Sequence, residues 1–190
     1  MNAKTYKQSL LDALYAPYRH CTMCPLGTMG RTQVVFGEGN PDADILFIGE
    51  GPGASEDEQG RPFVGRSGKL LTKTLEGLGV ARAEVFITNI VKCRPPENRQ
   101  PTHQEAQICT SLFLFNQTKI IRPTIICTLG ATALRSLLGD DIKISKTRGT
   151  TLSWDGYPLV PTYHPAYILR NATELPTFVQ DLALVIELSK

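Results

Sequence analysis

The chain has 190 residues, 42% of them hydrophobic and 20% charged, with a formal net charge of +2. That composition is ordinary for a globular protein, and the length suits one domain, residues 1–190, with a full-sized core. No apolar run approaches the roughly 20 residues needed to cross a membrane, and the first residues hold no apolar signal-peptide core. The sequence therefore predicts a soluble, cytoplasmic protein, and a charge so near neutrality does not by itself announce a nucleic-acid binder.

Residues 4–16 read as a polar amphipathic helix ending near Pro17. Asp44-Ile45-Leu46-Phe47-Ile48 is a short apolar run stopped by Gly49, the pattern of a buried parallel strand. Residues 50–65 read as a loop bearing glycine and proline, and irregular loops of about 15 residues are usually functional. Helical periodicity resumes over 66–78 through Leu70, Leu71, Leu75 and Leu78. A second strand, Val85-Phe86-Ile87-Thr88, runs on through Asn89, and the loop after it (92–102) contains three prolines.

Thr102-His103-Gln104-Glu105 has capping-box spacing, in which hydroxyl and carboxylate each satisfy a free backbone N–H, and opens a helix over 103–119. Thr124-Ile125-Ile126-Cys127-Thr128 is the third strand, followed by a helix at about 130–138. The fourth, Leu159-Val160-Pro161-Thr162, ends at Tyr163-His164-Pro165, and an amphipathic helix covers 174–188.

Strands alternating with helices predict an α/β fold: a doubly wound, mostly parallel sheet with helices on both faces. Ligands bind such sheets beyond the carboxyl ends of the strands. Glu50 and Gly51 follow the first strand, Asn89 the second and His164 the last.

Five cysteines stand at 21, 24, 93, 109 and 127. Cys21-Thr-Met-Cys24 is a C-x2-C clip, while Cys93 lies in the proline-rich loop and Cys109 on the helix after it. Structural zinc sites usually pair two short knuckles, and the second half here is not one, so four thiolates from three segments suit an iron–sulfur cluster somewhat better than zinc. Spacing alone points to metal and leaves its identity open. Cys127, inside an apolar strand, reads as a core residue.

Basic residues gather in three places: Arg61/Arg66/Lys69/Lys73, Lys92/Arg94/Arg99 and Lys143/Lys146/Arg148. A shared face would make them a phosphate-binding surface; otherwise they are scattered solvated charges. Gly49-Glu50-Gly51-Pro52-Gly53-Ala54 formally matches a dinucleotide fingerprint. Proline interrupts its turn, no helix is expected to open at once, and Glu56-Asp57-Glu58 would put negative charge where a pyrophosphate must sit, so that reading is rejected.

Four longer segments identify a family. They are 21–26 with Arg31-Thr32-Gln33-Val34-Val35-Phe36-Gly37-Glu38-Gly39; Gly49-Glu50-Gly51-Pro52-Gly53 with Glu56-Asp57 and Gly60-Arg61-Pro62-Phe63-Val64-Gly65; Thr88-Asn89-Ile90-Val91-Lys92-Cys93-Arg94-Pro95-Pro96; and Pro161-Thr162-Tyr163-His164-Pro165-Ala166-Tyr167-Ile168-Leu169-Arg170. Together they resemble the family 4 uracil-DNA glycosylases, the iron–sulfur branch of that superfamily. The resemblance implies a three-layer α/β/α sandwich around a central four-stranded, mostly parallel sheet. It also implies a [4Fe–4S] cluster on Cys21, Cys24, Cys93 and Cys109.

By that resemblance, Phe63 stacks on a flipped uracil, Asn89 reads its pyrimidine edge and His164 donates to O2 as charge develops on the departing base. Glu50 and Glu56 are the candidates for orienting water and stabilising the sugar cation, and Gly51 lets the backbone approach the base. Leu169 is expected to be a wedge into the duplex, with core packing as the alternative, and Arg170 to face phosphate. Arg61, Arg66, Lys146 and Arg148 complete the expected DNA contacts. The short loop Lys146-Thr147-Arg148-Gly149 lacks the histidine of a related branch that links covalently to DNA, which argues for turnover.

The expected function is a monofunctional glycosylase: a monomer that hydrolyses the N-glycosidic bond of uracil in single- or double-stranded DNA at the nucleoid, with a structural cluster and no membrane partner. A metal-stabilised nucleic-acid-binding module without catalysis is the rival, disfavoured by the intact Glu50, Phe63, Asn89 and His164.

Overall fold

A computed structural model describes residues 3–190. Helix α1 (Ala3–Tyr15) precedes a short strand β1 (Glu38–Gly39) and then β2 (Ile45–Gly49). Helices α2 (Ala54–Gln59) and α3 (Arg66–Gly77) lead to β3 (Phe86–Asn89). One long helical stretch follows: α4 (His103–Cys109), a π-helical segment (Thr110–Leu114) and α5 (Phe115–Ile121). Then come β4 (Ile125–Leu129), α6 (Ala131–Leu138), α7 (Ile144–Thr147), β5 (Leu152–Trp154) and β6 (Tyr157–Thr162). Helices α8 (Pro165–Arg170) and α9 (Leu175–Leu188) close the chain.

Among the described residues the strands form one six-stranded sheet, ordered β1-β3-β2-β4-β6-β5. Its inner four, β3-β2-β4-β6, are parallel, as the alternation of elements predicts. Two antiparallel edge strands, β1 on β3 and β5 on β6, extend the expected four-stranded sheet. The β5–β6 hairpin turns through Asp155 (φ 48°) and Gly156 (φ 82°), the Asp-Gly pair that a two-residue hairpin with positive φ favours.

Every residue of β2 is buried, because the sheet is covered on both faces. Leu46 and Ile48 pack on one face with Ala106, Phe113 and Leu114, while Ile45 and Phe47 pack on the other with Phe178, Leu182 and Val185 of α9. Cys127 is fully buried on the α9 side, a core residue as read. No helix among the described residues is long and apolar enough to cross a membrane.

The long loop after β2 is not without structure, because α2 occupies residues 54–59. A helix therefore does open directly after Gly53, contrary to one ground for rejecting a dinucleotide fingerprint. The rejection stands on another ground. The Glu56 carboxylate accepts the Gly53 N–H at 3.2 Å, so the protein's own acid holds the place a phosphate would take. The expected capping box at α4 is present: Thr102 Oγ1 accepts from Glu105 N at 3.2 Å, and Glu105 Oε2 accepts from Thr102 N at 2.8 Å.

The chain moves from β2 to β3 on one side, then returns to build β4 and β6 on the other. That reversal opens a crevice at the carboxyl ends of β2 and β4, where ligands bind in open α/β sheets.

Candidate active site

Gly49 pairs with Asn89 across β2 and β3, and Leu129 with Thr162 across β4 and β6. This register brings Glu50, Asn89 and His164 to the same edge of the sheet. With Gly51, Glu56 and Phe63 they line one cleft of about 900 Å³, so all six residues expected at the reaction centre come together.

Asn89 is 1% exposed, and its Oδ1 has no hydrogen-bond partner among the described residues. A buried unpaired acceptor costs about 1–3 kcal/mol, so an amide oxygen kept bare in a cleft is suited to a ligand's N–H. Gly49 makes the arrangement fit: a Cβ there would lie 2.4 Å from Asn89 Oδ1 and 2.5 Å from Phe63 Cζ. At Gly51 a Cβ would come within 2.8 Å of Val91 Cγ2, so packing against the 91 side chain also demands glycine there.

The His164 ring lies 5.7 Å from the Phe63 ring, tilted by 36°. Its Nδ1 accepts the backbone N–H of Ala166 at 3.1 Å, so the neutral ring carries its proton on Nε2. Burial, helped by the Arg170 charge and opposed by Glu56, holds the imidazole down to about 4. The histidine is thus neutral near pH 7, with Nε2–H as its free donor.

The two glutamates differ. Burial raises the Glu50 carboxyl above its ordinary value, and a hydrogen bond with the Thr132 side chain at the start of α6 opposes the rise. Glu56 is occupied by backbone: Oε1 accepts from Val64 N and Gly65 N, each at 2.8 Å, and Oε2 from Gly53 N. Glu56 therefore organises the Phe63 loop, whereas Glu50 lines the cleft with a single side-chain partner, Thr132.

Of the expected DNA contacts, Arg66, Lys146 and Arg170 are exposed, and Arg170 lines the cleft. Leu169 is 42% exposed beside it, which removes the core-packing alternative. Two arginines are already engaged: Arg61 pairs with Glu38 at 2.7 Å, and Arg148 with the buried Asp181. Lys92, counted among the surface cations, is fully buried and donates to Thr88 Oγ1, Asn89 O and Gln117 Oε1 at 2.5, 2.7 and 2.9 Å. It fixes the backbone that carries Asn89.

Cys93 and Cys109 are buried, and Cys21 and Cys24 pack against the same core. Burial pushes the Cys93 thiol up to about 12, with Cys109, Cys24 and Cys21 adding to the rise and Arg31 opposing it. No three His, Cys, Asp or Glu groups among the described residues are arranged to hold a single metal ion. Arg31 Nη2 donates to Cys21 O at 2.7 Å, while its buried Nε finds no acceptor among the described residues.

Sequence reading missed Arg82, Thr132 and Asp181, whose partners Glu38, Glu50 and Arg148 lie far along the chain, and it placed Lys92 on the surface.

Residues 36–183 match the family model of the uracil DNA glycosylase superfamily. The type-4 uracil-DNA glycosylase of Thermotoga maritima is 48% identical over 87% of this chain and 86% of its own length. That of Pyrobaculum aerophilum is 43% identical over 92% of each. A type-5 uracil-DNA glycosylase of Pyrobaculum aerophilum is 31% identical over 78% of this chain and 71% of its own.

Proposed function

The chain belongs to the type-4 branch of the uracil-DNA glycosylase superfamily, and on that premise we propose that it flips uracil out of DNA and hydrolyses its N-glycosidic bond. The observation that carries this reading is the buried Asn89 amide, unpaired at its oxygen and facing the cleft. Uracil offers it N3–H as donor and O4 as acceptor. Cytosine offers a bare N3 and an amino group, so both bonds would be mismatched and the buried amide would stay unsatisfied.

Flipping costs a few kcal/mol of lost stacking, which Phe63 recovers in part by covering one face of the base. As the C1′–N1 bond breaks, electrons move into the uracil ring and O2 gains charge. Nε2–H of the neutral His164 donates there, the type of aimed donor typically worth about 3–4 kcal/mol. Glu50 orients a water toward C1′ and stabilises the sugar cation. Water supplies hydroxyl to C1′ and a proton to the base, giving free uracil and an abasic site. Lys146, Arg66 and Arg170 meet phosphate, and Leu169 fills the gap left in the stack.

We further propose that Cys21, Cys24, Cys93 and Cys109 hold a [4Fe–4S] cluster. The donor set fits: four thiols from three segments against one core, with Arg31 donating to Cys21 O and its buried Nε without an acceptor among the described residues. Four thiolates drawn from three segments suit a multi-iron group somewhat better than one zinc, whose structural sites usually pair two short knuckles. When bound, such a group would cross-link the 21–24 segment, the loop after β3 and α4. Hydrolysis needs no electron from it.

The test is cleavage of a labelled oligonucleotide holding one uracil, followed by alkali, for wild type, Asn89→Ala and His164→Ala. Alkali-dependent breakage at uracil, strongly reduced in both variants, is expected. A folded, iron-loaded wild-type protein that leaves uracil intact in single- and double-stranded DNA would overturn the reading and favour a DNA-binding module without catalysis.

A further inference from the structure

Phe63 holds a backbone conformation that aromatic residues rarely adopt, with φ of +51°. Such strain persists only where the surroundings over-determine it. Here they do so from two sides. Glu56 grips the N–H groups of Val64 and Gly65. On the other side the Arg82 guanidinium donates Nη2 to Pro62 O at 2.5 Å and Nη1 to Phe63 O at 3.1 Å.

Arg82 is itself held. Its Nε and Nη2 reach Glu38 Oε1 at 3.2 and 3.0 Å, and Nη1 also meets Thr72 Oγ1 at 3.3 Å. The loop is pressed against α3 at Gly68, where a Cβ would fall 1.9 Å from Phe63 O. The Phe63 carbonyl is therefore fixed between a glycine and a guanidinium, and from that backbone the ring lines the cleft 5.7 Å from the His164 ring.

We propose that Arg82, from outside the cleft, is a positioning residue that holds the Phe63 loop in its strained conformation and so sets the ring plane on which the flipped base stacks. The proposal rests on the reading of Phe63 as the stacking face. Only the planar fork of arginine can serve two successive carbonyls and a carboxylate together; a lysine ammonium keeps the charge but not the fork.

The test is a double-mutant cycle of wild type, Arg82→Gln, Phe63→Ala and the double variant, with Arg82→Lys in place of Arg82→Gln should the latter fail to fold. Two quantities are read: kcat/KM on a uracil oligonucleotide, and the inhibition constant of free uracil. In the wild-type background the Arg82 substitution is expected to lower kcat/KM on the order of 10²-fold and to weaken inhibition by uracil. In the Phe63→Ala background it should change both within about 2-fold, because the residue it acts through is gone. Equal losses in both backgrounds, or no loss in either, would overturn the proposal. An unimpaired Phe63→Ala enzyme would instead overturn the stacking role of Phe63, a distinct outcome.

Discussion

Arg148 and Asp181 form a two-pronged ion pair that joins the loop before β5 to α9. The Asp181 carboxylate is 2% exposed and accepts from Arg148 through Nε, at 2.8 Å, and Nη2. The same carboxylate accepts from Thr162 Oγ1 at 2.7 Å, two residues before His164. The Arg148 guanidinium also lies 5.8 Å from the Tyr163 ring centroid. One buried acid thus ties the end of α7, which carries Lys146 where a loop was expected, to the strand end bearing His164.

Replacing Asp181 by Ala is therefore expected to act at two levels. The part-exposed Arg148 can turn to water, but the buried Thr162 hydroxyl loses its acceptor, a cost of about 1–3 kcal/mol that a denaturant titration would read. The released loop should also weaken DNA binding more than it slows turnover at saturation. Wild-type stability and wild-type KM in a folded Asp181→Ala protein would show that the pair holds nothing together.

The two glutamates of the cleft should separate cleanly. Glu50→Gln leaves the backbone network untouched, so turnover should fall by orders of magnitude with an unchanged melting temperature. Glu56→Ala strips acceptors from three backbone N–H groups, each about 1–3 kcal/mol if left unpaired and buried. Stability and activity should fall together in that variant. The reverse pattern, with Glu56→Ala stable but dead and Glu50→Gln active, would exchange their roles.

Much of this was legible in the sequence because it is local. The four apolar strands, the Thr102–Glu105 capping box and the strand-end positions of Glu50, Asn89 and His164 all follow from short-range pattern. The edge strands escaped for different reasons. β1 is two residues long and ends in glycine, whereas the hairpin of β5 and β6 did leave a signal in Asp155-Gly156. What could not be read were charges whose partners lie far along the chain. Arg148 and Asp181 are 33 residues apart and Arg82 and Glu38 are 44 apart, so their pairing depends on the completed fold. Lys92 reads as a surface cation because the Gln117 that closes its pocket lies 25 residues on, although Thr88 and Asn89 are close by.

Iron removal tests the cysteine reading. A chelator acting on partly unfolded protein should bleach a brown preparation and lower its melting temperature, since three separated segments lose their cross-link. Oxidation or reduction that leaves the protein intact should not change the rate of uracil release. A rate that follows the applied potential in folded protein would contradict a structural role.

The pH response follows from His164 and Glu50. The histidine is held down to about 4 from an ordinary 6.5, so between those values the unfolded chain binds more protons than the folded one. Its contribution is complete above pH 6.5 and is lost as pH falls toward 4, about 3 kcal/mol in all. Over the same range the folded ring stays neutral and keeps Nε2–H as a donor. Glu50 is shifted the other way, so it takes up its proton first on acidification. The acid limb of kcat/KM, which reports groups of the free enzyme, should therefore report Glu50 in the wild type. It should survive in the residual activity of His164→Ala and disappear from that of Glu50→Gln. An acid limb near 6.5 that vanishes in His164→Ala would mean that the imidazole titrates as an exposed group does.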